Sequence, residues 1–265
     1  MTRKQTYTRL FGLLLLIFSS EIFAALVVNP AAQIVGTVTV QPIVVSNDDG
    51  SNQANYFGNA AEQQSIFTLV DTIWAQAGLD IEFLSPNFWN SSFANEGNAS
   101  PRPQGDFGII QDEGISAGVT NGDSTVLNMF MVNAVPGFGS LSANQAAGLA
   151  SVGGNGIVQY VGTNLLGFSN GREVIASVVA HEIGHNLGLA HNSIDENLMA
   201  SGNVVDGERL NAAQIATVLN SQFVTAAPVP LPGMVWLFCA ALFGIYYPAK
   251  FTRTTNTDTH MALCT

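Results

Sequence analysis

Three of the chain's four histidines stand within one short run, His181-Glu182-Ile183-Gly184-His185-Asn186-Leu187-Gly188-Leu189-Ala190-His191. On a helix, positions four apart share a face, with Cβ atoms about 5–6 Å apart. His181 and His185 can therefore reach one metal ion together. Glu182 is one residue round the helix from His181, so it can lie beside that ion without being a ligand. A continuing helix would carry His191 away from the metal. Gly188 supplies the stop, because glycine takes a left-handed conformation at little steric cost just past a helix end. The chain can then reverse and bring His191 back. Three neutral imidazoles leave the fourth position of a tetrahedral Zn2+ open to water, which marks a catalytic centre. An isolated histidine is ordinarily a satisfied surface or core residue; the spacing, the glycine and the helix beneath point away from that here.

The helix that must present the first pair is expected over 171–187, opened by Asn170 with Glu173 in a capping-box arrangement. Val174, Val178, His181 and His185 form one stripe on it, so the imidazoles leave from its buried side. Ahead of it, residues 34–45 alternate and are β-branched, which predicts a strand, followed by a turn at Asn47-Asp48-Asp49-Gly50. Ile66, Leu69, Val70, Ile73, Trp74 and Ala77 predict a helix over 60–77, stopped by Gly78. Further strands are expected at 80–84, 107–111, 124–132 and 156–161, a long loop over 85–106, and a shorter helix over 210–221. Segment 149–161, just before the active helix, is the candidate edge along which an extended peptide would pair. There are no internal repeats. The fold class is α+β: a twisted mixed β-sheet with two long helices above it and a small subdomain after Gly188.

Composition fits an exported domain. Of the 265 residues 47% are hydrophobic and only 10% charged, ample for a core and unlike a disordered chain. Between residues 25 and 225 three basic residues (Arg102, Arg172, Arg209) face seventeen acidic ones. That surface repels phosphate backbones, so no nucleic-acid partner is expected. Both cysteines, Cys239 and Cys264, lie near the C-terminus, so no disulfide framework holds the central region. Residues 1–24 read as a signal peptide: Arg3, Lys4 and Arg9, an apolar run over 10–18, and Ala24 as the cleavage residue.

With these residues in hand, the run from His181 to His191 resembles the extended zinc signature of the metzincin metalloproteases, including their glycine at Gly188. Asn197-Leu198-Met199-Ala200 resembles that family's methionine turn. The eight-residue step from His191 to Met199 is similar to the matrixin branch, while His185-Asn186-Leu187-Gly188 is similar to the adamalysin (reprolysin) branch. Glu208-Arg209-Leu210-Asn211 resembles the start of the closing helix of matrixins. The specific match covers about 170–222. It implies a metzincin-like catalytic domain over 25–225 that hydrolyses peptide bonds, with His181, His185 and His191 holding zinc and Glu182 as base. Two departures matter. Ala200 stands where matrixins usually have Tyr, and Ser201 where astacins and serralysins place a zinc-binding Tyr, so no tyrosine ligand is expected. No cysteine precedes the domain, and the strand-like start near residue 34 leaves no room for a sizeable propeptide. Structural calcium has candidates at Asp48, Asp49 and an Asp112/Glu113 loop, though carboxylate count and spacing favour plain solvated turns.

Residues 226–232 form a Pro-rich linker, Pro228-Val229-Pro230-Leu231-Pro232 being stiff and extended. An apolar segment follows at 233–253, then a tail at 254–265. The fourteen residues from Met234 to Tyr247 span roughly 21 Å as a helix, short of the ~30 Å hydrocarbon core. This order resembles the PEP-CTERM sorting signals, in their Val-Pro-Leu-Pro variant, of Gram-negative bacteria. It implies a secreted or cell-surface protein, membrane-associated through its C-terminal segment and processed by an exosortase. Two other classes remain open for the whole chain: an exported surface or matrix-binding protein with a structural zinc, and a zinc hydrolase of non-peptide amides. An intact Glu182 argues against the first.

Overall fold

The β-branched run near the N-terminus makes the longest strand, β1 (Gly36–Ser46), and the sheet is assembled on it. The computed structural model describes residues 26–95, 106–133, 148–160, 170–201 and 207–227. On one side β1 pairs in parallel with β2 (Leu79–Phe83) and then with β3 (Asn87–Asn90). On the other it pairs with β7 (Val224–Ala226), antiparallel, and then with β4 (Leu127–Val132), parallel. β4 continues in parallel to β6 (Ile157–Tyr160), and β5 (Gly148–Ala150) closes that end antiparallel to β6. The main path is thus β2-β1-β4-β6-β5. The second half of β1 is buried throughout, because the sheet is covered on both faces there.

Helices α1 (Ala60–Ala75) and α4 (Gly171–Asn186) pack on one face of the sheet. Ile66, Val70, Ile73 and Trp74 are fully buried there with Val38, Val40, Met129 and Met131 of the strands and Val179, Ala180 and Ile183 of α4. This core fixes the azimuth of α4 and therefore the direction in which its histidines point. The opposite face carries Ile43, Val45, Phe130, Val132 and Val158, covered by Trp89, by Ala94 of the short α2 (Ser92–Asn95) and by Ile110. A last helix, α5 (Ala212–Leu219), closes the chain before β7.

Several sequence expectations need correction. Residues 107–111 are not a strand but part of helix α3 (Asp106–Ser116). A helix lets Ile110 bury completely while Ile109 and Ile115 stay 45% and 62% exposed, and it sets Gly114 close against the Phe130 ring. Asp112 and Glu113 accordingly sit on α3, not in a loop. Segment 85–106 is not one loop: it contains β3 and α2, and residues 96–105 lie outside the described residues. Asn170 makes no side-chain cap on α4. The capping boxes are instead at Asn59/Glu62 on α1 and Asn211/Gln214 on α5. Asp48 and Asp49 spend carboxylate oxygens on the backbone N–H groups of Ser92 and Ser51.

The described residues belong to a compact unit ending at Ala227. Among them no helix is long and apolar enough to cross a membrane. The leader, the Pro-rich stretch from 228, the 233–253 segment and the tail lie outside the described residues.

Candidate metal centre and active site

Helix α4 ends as its sequence demands. Gly188 takes φ +100°, its N–H donates to the His185 carbonyl, and the Leu189 N–H reaches back to the Gly184 carbonyl. These two bonds make a Schellman motif, and they turn the chain so that His191 returns toward the helix. Nε2 of His191 lies 3.1 Å from Nε2 of both His181 and His185. The three rings meet at 41°, 69° and 85° to one another. They therefore approach a common point from three directions. Among the described residues no other three His, Cys, Asp or Glu side chains converge in this way.

Nδ1 of His181 donates to the Leu198 carbonyl at 2.7 Å, and Nδ1 of His185 to the Leu189 carbonyl at 2.8 Å. Those acceptors put the proton on Nδ1 and leave the Nε2 lone pair facing inward. Burial pushes the His181 pKa down to about 4 and also lowers that of His185, so both are neutral donors over a wide pH range. Three facing nitrogens cannot be satisfied by one another's protons. Tetrahedral Zn2+ with bonds of 2.0–2.1 Å needs nitrogens roughly 3.4 Å apart, and the observed 3.1 Å comes close. The donor set fits zinc. His181 and His185 are buried, while His191 is exposed and marks the open side.

The carbonyl that orients His181 is itself held. Leu198 donates its N–H to the Arg209 carbonyl, and the Gln76 side chain at the end of α1 bonds the Leu210 N–H and the Glu208 carbonyl. Met199 is fully buried in the turn Asn197–Ala200, closed by the Ala200 N–H to the Asn197 carbonyl. Its sulfur lies where a Cβ on Gly184 would stand, 2.6 Å away, so a side chain at 184 would expel it.

Glu182 is buried, and its Oε2 has no hydrogen-bond partner among the described residues. Desolvation pushes its pKa up to about 8 in the metal-free protein. A buried carboxylate without a partner costs stability, which a structural role does not explain and a reactive one does. Sequence reading missed its neighbour Gly148. A Cβ there would stand 2.6 Å from Glu182 Cγ and 2.8 Å from Oε1. Strand β5 therefore lies directly against the carboxylate only because residue 148 has no side chain. Nothing local in the sequence signals this contact, which closes across 34 positions of chain. Gly148→Ala is expected to push Glu182 aside while leaving the three histidines in place. Hydrolysis should fall at least about tenfold, a misplacement effect, with zinc content unchanged; unaltered kcat/KM would show that the contact is slack.

A mixed sheet backed by a two-histidine helix, with a third histidine returned by a glycine turn, is a metzincin-like arrangement with a donor set for zinc. The chain belongs to the matrixin family of peptidases, whose model (Peptidase_M10: Matrixin) matches residues 74–214, just over half of it. No curated protein matches it in sequence. Among solved structures it is similar to metalloproteinase-II from Bacteroides fragilis, at 16% identity and TM-score 0.46, over 73% of this chain and 55% of that one. It is also similar to archaemetzincin from Methanopyrus kandleri, at 15% identity and TM-score 0.47, over 70% and 95%. The chain thus spans little more than half the length of the Bacteroides protein.

Proposed function

We propose that this protein is an exported zinc-dependent endopeptidase in which Glu182 is the general base. The observation that carries the reading is the orphaned, buried Glu182 carboxylate, set against strand β5 on the helix that also carries two of the three converging histidines. His181, His185 and His191 would hold the zinc, which when bound lowers the pKa of a water towards ~7 and polarises the scissile carbonyl. Glu182 would accept a proton from the attacking water and deliver it to the leaving amine, a role worth roughly 10²–10⁴-fold in rate. The turn at Met199 is read as the Met-turn supporting the ligands from below. Among the described residues β5 is the edge strand at its end of the sheet path, and an extended peptide pairs with it backbone to backbone, next to Glu182.

A peptide-library digest with the full chain tests this. Internal bonds should be cut, cleavage should stop with a chelator, and zinc should restore it. A protein that holds zinc and cuts no peptide would hand the site to the matrix-binding or non-peptide-amide alternatives.

Export rests on the leader at 1–24 and the sorting signal at 228–253. Protein recovered from the producing Gram-negative cell should lack residues 1–24 and be cut or membrane-anchored near 228–250. Mass spectrometry finding an intact C-terminus on freely soluble extracellular protein would sink the sorting reading.

A further inference from the structure

Asn186, the residue after the second histidine, has no place in the chemistry above, yet it is fully buried. Its Nδ2 donates to the Ser151 carbonyl at 3.0 Å and to the Gly156 carbonyl at 3.2 Å. Those two carbonyls stand at the two ends of the loop that joins β5 to β6. Between them, the Gly153 N–H donates to the His185 carbonyl at 2.9 Å. The tip of the β5–β6 hairpin is therefore bonded three times to the last turn of the helix that carries the zinc ligands. From the other side Gln111 of α3 donates to the Asn155 carbonyl. The orientation of the carboxamide is unambiguous, because turning it over would set its oxygen against both carbonyls. Asn186 Oδ1 is left buried without a partner among the described residues, a cost that the two donated bonds must offset.

We infer that Asn186 is a positioning residue for substrate: it clamps the β5–β6 hairpin to α4 and so sets the distance between the peptide-docking edge and the catalytic centre. This deepens the endopeptidase reading and rests on it for the substrate, though the clamp itself does not. β5 is only three residues long and its backbone lies against Glu182. Three ladder positions with β6 cannot by themselves fix so short a strand along the helix, whereas two carbonyls bonded to one side chain can. A peptide that extends β5 reads its register from that clamp. The zinc ligands take their orientation from other acceptors, the Leu198 and Leu189 carbonyls.

The test uses the full chain and two substitutions. Asn186→Leu keeps the branched shape of the side chain but has no donor; Asn186→Ala removes both the bulk and the donors. With the best long substrate from the library digest, KM is expected to rise about tenfold in both variants, the worth of two modest hydrogen bonds. The change in kcat is expected to be smaller than that in KM, with zinc content stoichiometric. By hydrogen exchange, amides over 150–158 should lose protection while those of α4 over 174–183 keep it. Equal falls in kcat, zinc content and protection throughout the domain would reduce Asn186 to a structural residue and overturn the inference. So would unchanged KM together with unchanged exchange at 150–158. If the parent cuts no peptide, the endopeptidase reading fails, and exchange alone decides the clamp: loosening confined to 150–158 sustains it, and an unchanged hairpin refutes it.

Discussion

Glu182→Gln should retain its zinc and its fold while peptide hydrolysis falls by about two to four orders of magnitude. Gln has the size of Glu and can fill the space beside Gly148, so neither β5 nor α4 has reason to move. What disappears is the proton acceptor. The fold should tolerate the change well, because burial already disfavours the ionised carboxylate. In the metal-free protein the Glu182 pKa is raised from 4.5 to about 8. Its folded state therefore holds a proton that the unfolded state has released between those values, and ionisation costs stability increasingly as pH rises across that window. Chelated Glu182→Gln should thus melt above the chelated parent near pH 8, with the gap closing towards pH 4.5. A variant that cleaves peptides as fast as the parent would remove Glu182 from the base role.

The parts of the site legible in the sequence are those that local geometry decides. His181 and His185 declare themselves by helical spacing, His191 by Gly188, and helix α1 by its apolar stripe from Ile66 to Trp74. The observed α1 and β1 differ from the expected 60–77 and 34–45 by no more than two residues at each end. The illegible parts are those that tertiary contact decides. Residues 107–111 read as a strand because the Ile109-Ile110 pair obscures a helical face; only contact with Phe130 shows that Ile110 and Gly114 face inward together. β5 and β7 are three residues long and exist only through their partners. The expected docking segment at 149–161 contains the edge, but Gly148, which lies against Glu182, falls just outside it. Asn170 offers a capping side chain, yet its backbone at φ −113° and ψ 19° leaves the extended region from which such caps are made. The Gln76 contacts that hold Leu198 through the 208–210 segment span more than a hundred residues of sequence.

His191→Ala should cost the protein its zinc. His181 and His185 are supplied by a rigid helix, but two nitrogens make a weak site, and the third arrives only through the Gly188 reversal. Contacts that merely orient a ligand are worth 10–100-fold in metal affinity, so losing a ligand should weaken binding by more than about 100-fold, and activity should vanish with the metal. The fold should survive, because His191 is exposed and contributes nothing to the buried core. Stability should report the same loss a second way. A metal that binds only the folded state raises its melting temperature by mass action, and without it His191 Nε2 faces two imidazole nitrogens at 3.1 Å and can share a proton with only one of them. A chelator should therefore lower the melting temperature of the parent and leave His191→Ala nearly unmoved, since chelator and substitution remove the same interaction and their effects cannot add. Full zinc in the purified variant would refute the third ligand. A chelator that destabilises variant and parent equally would place the stabilising metal elsewhere in the chain.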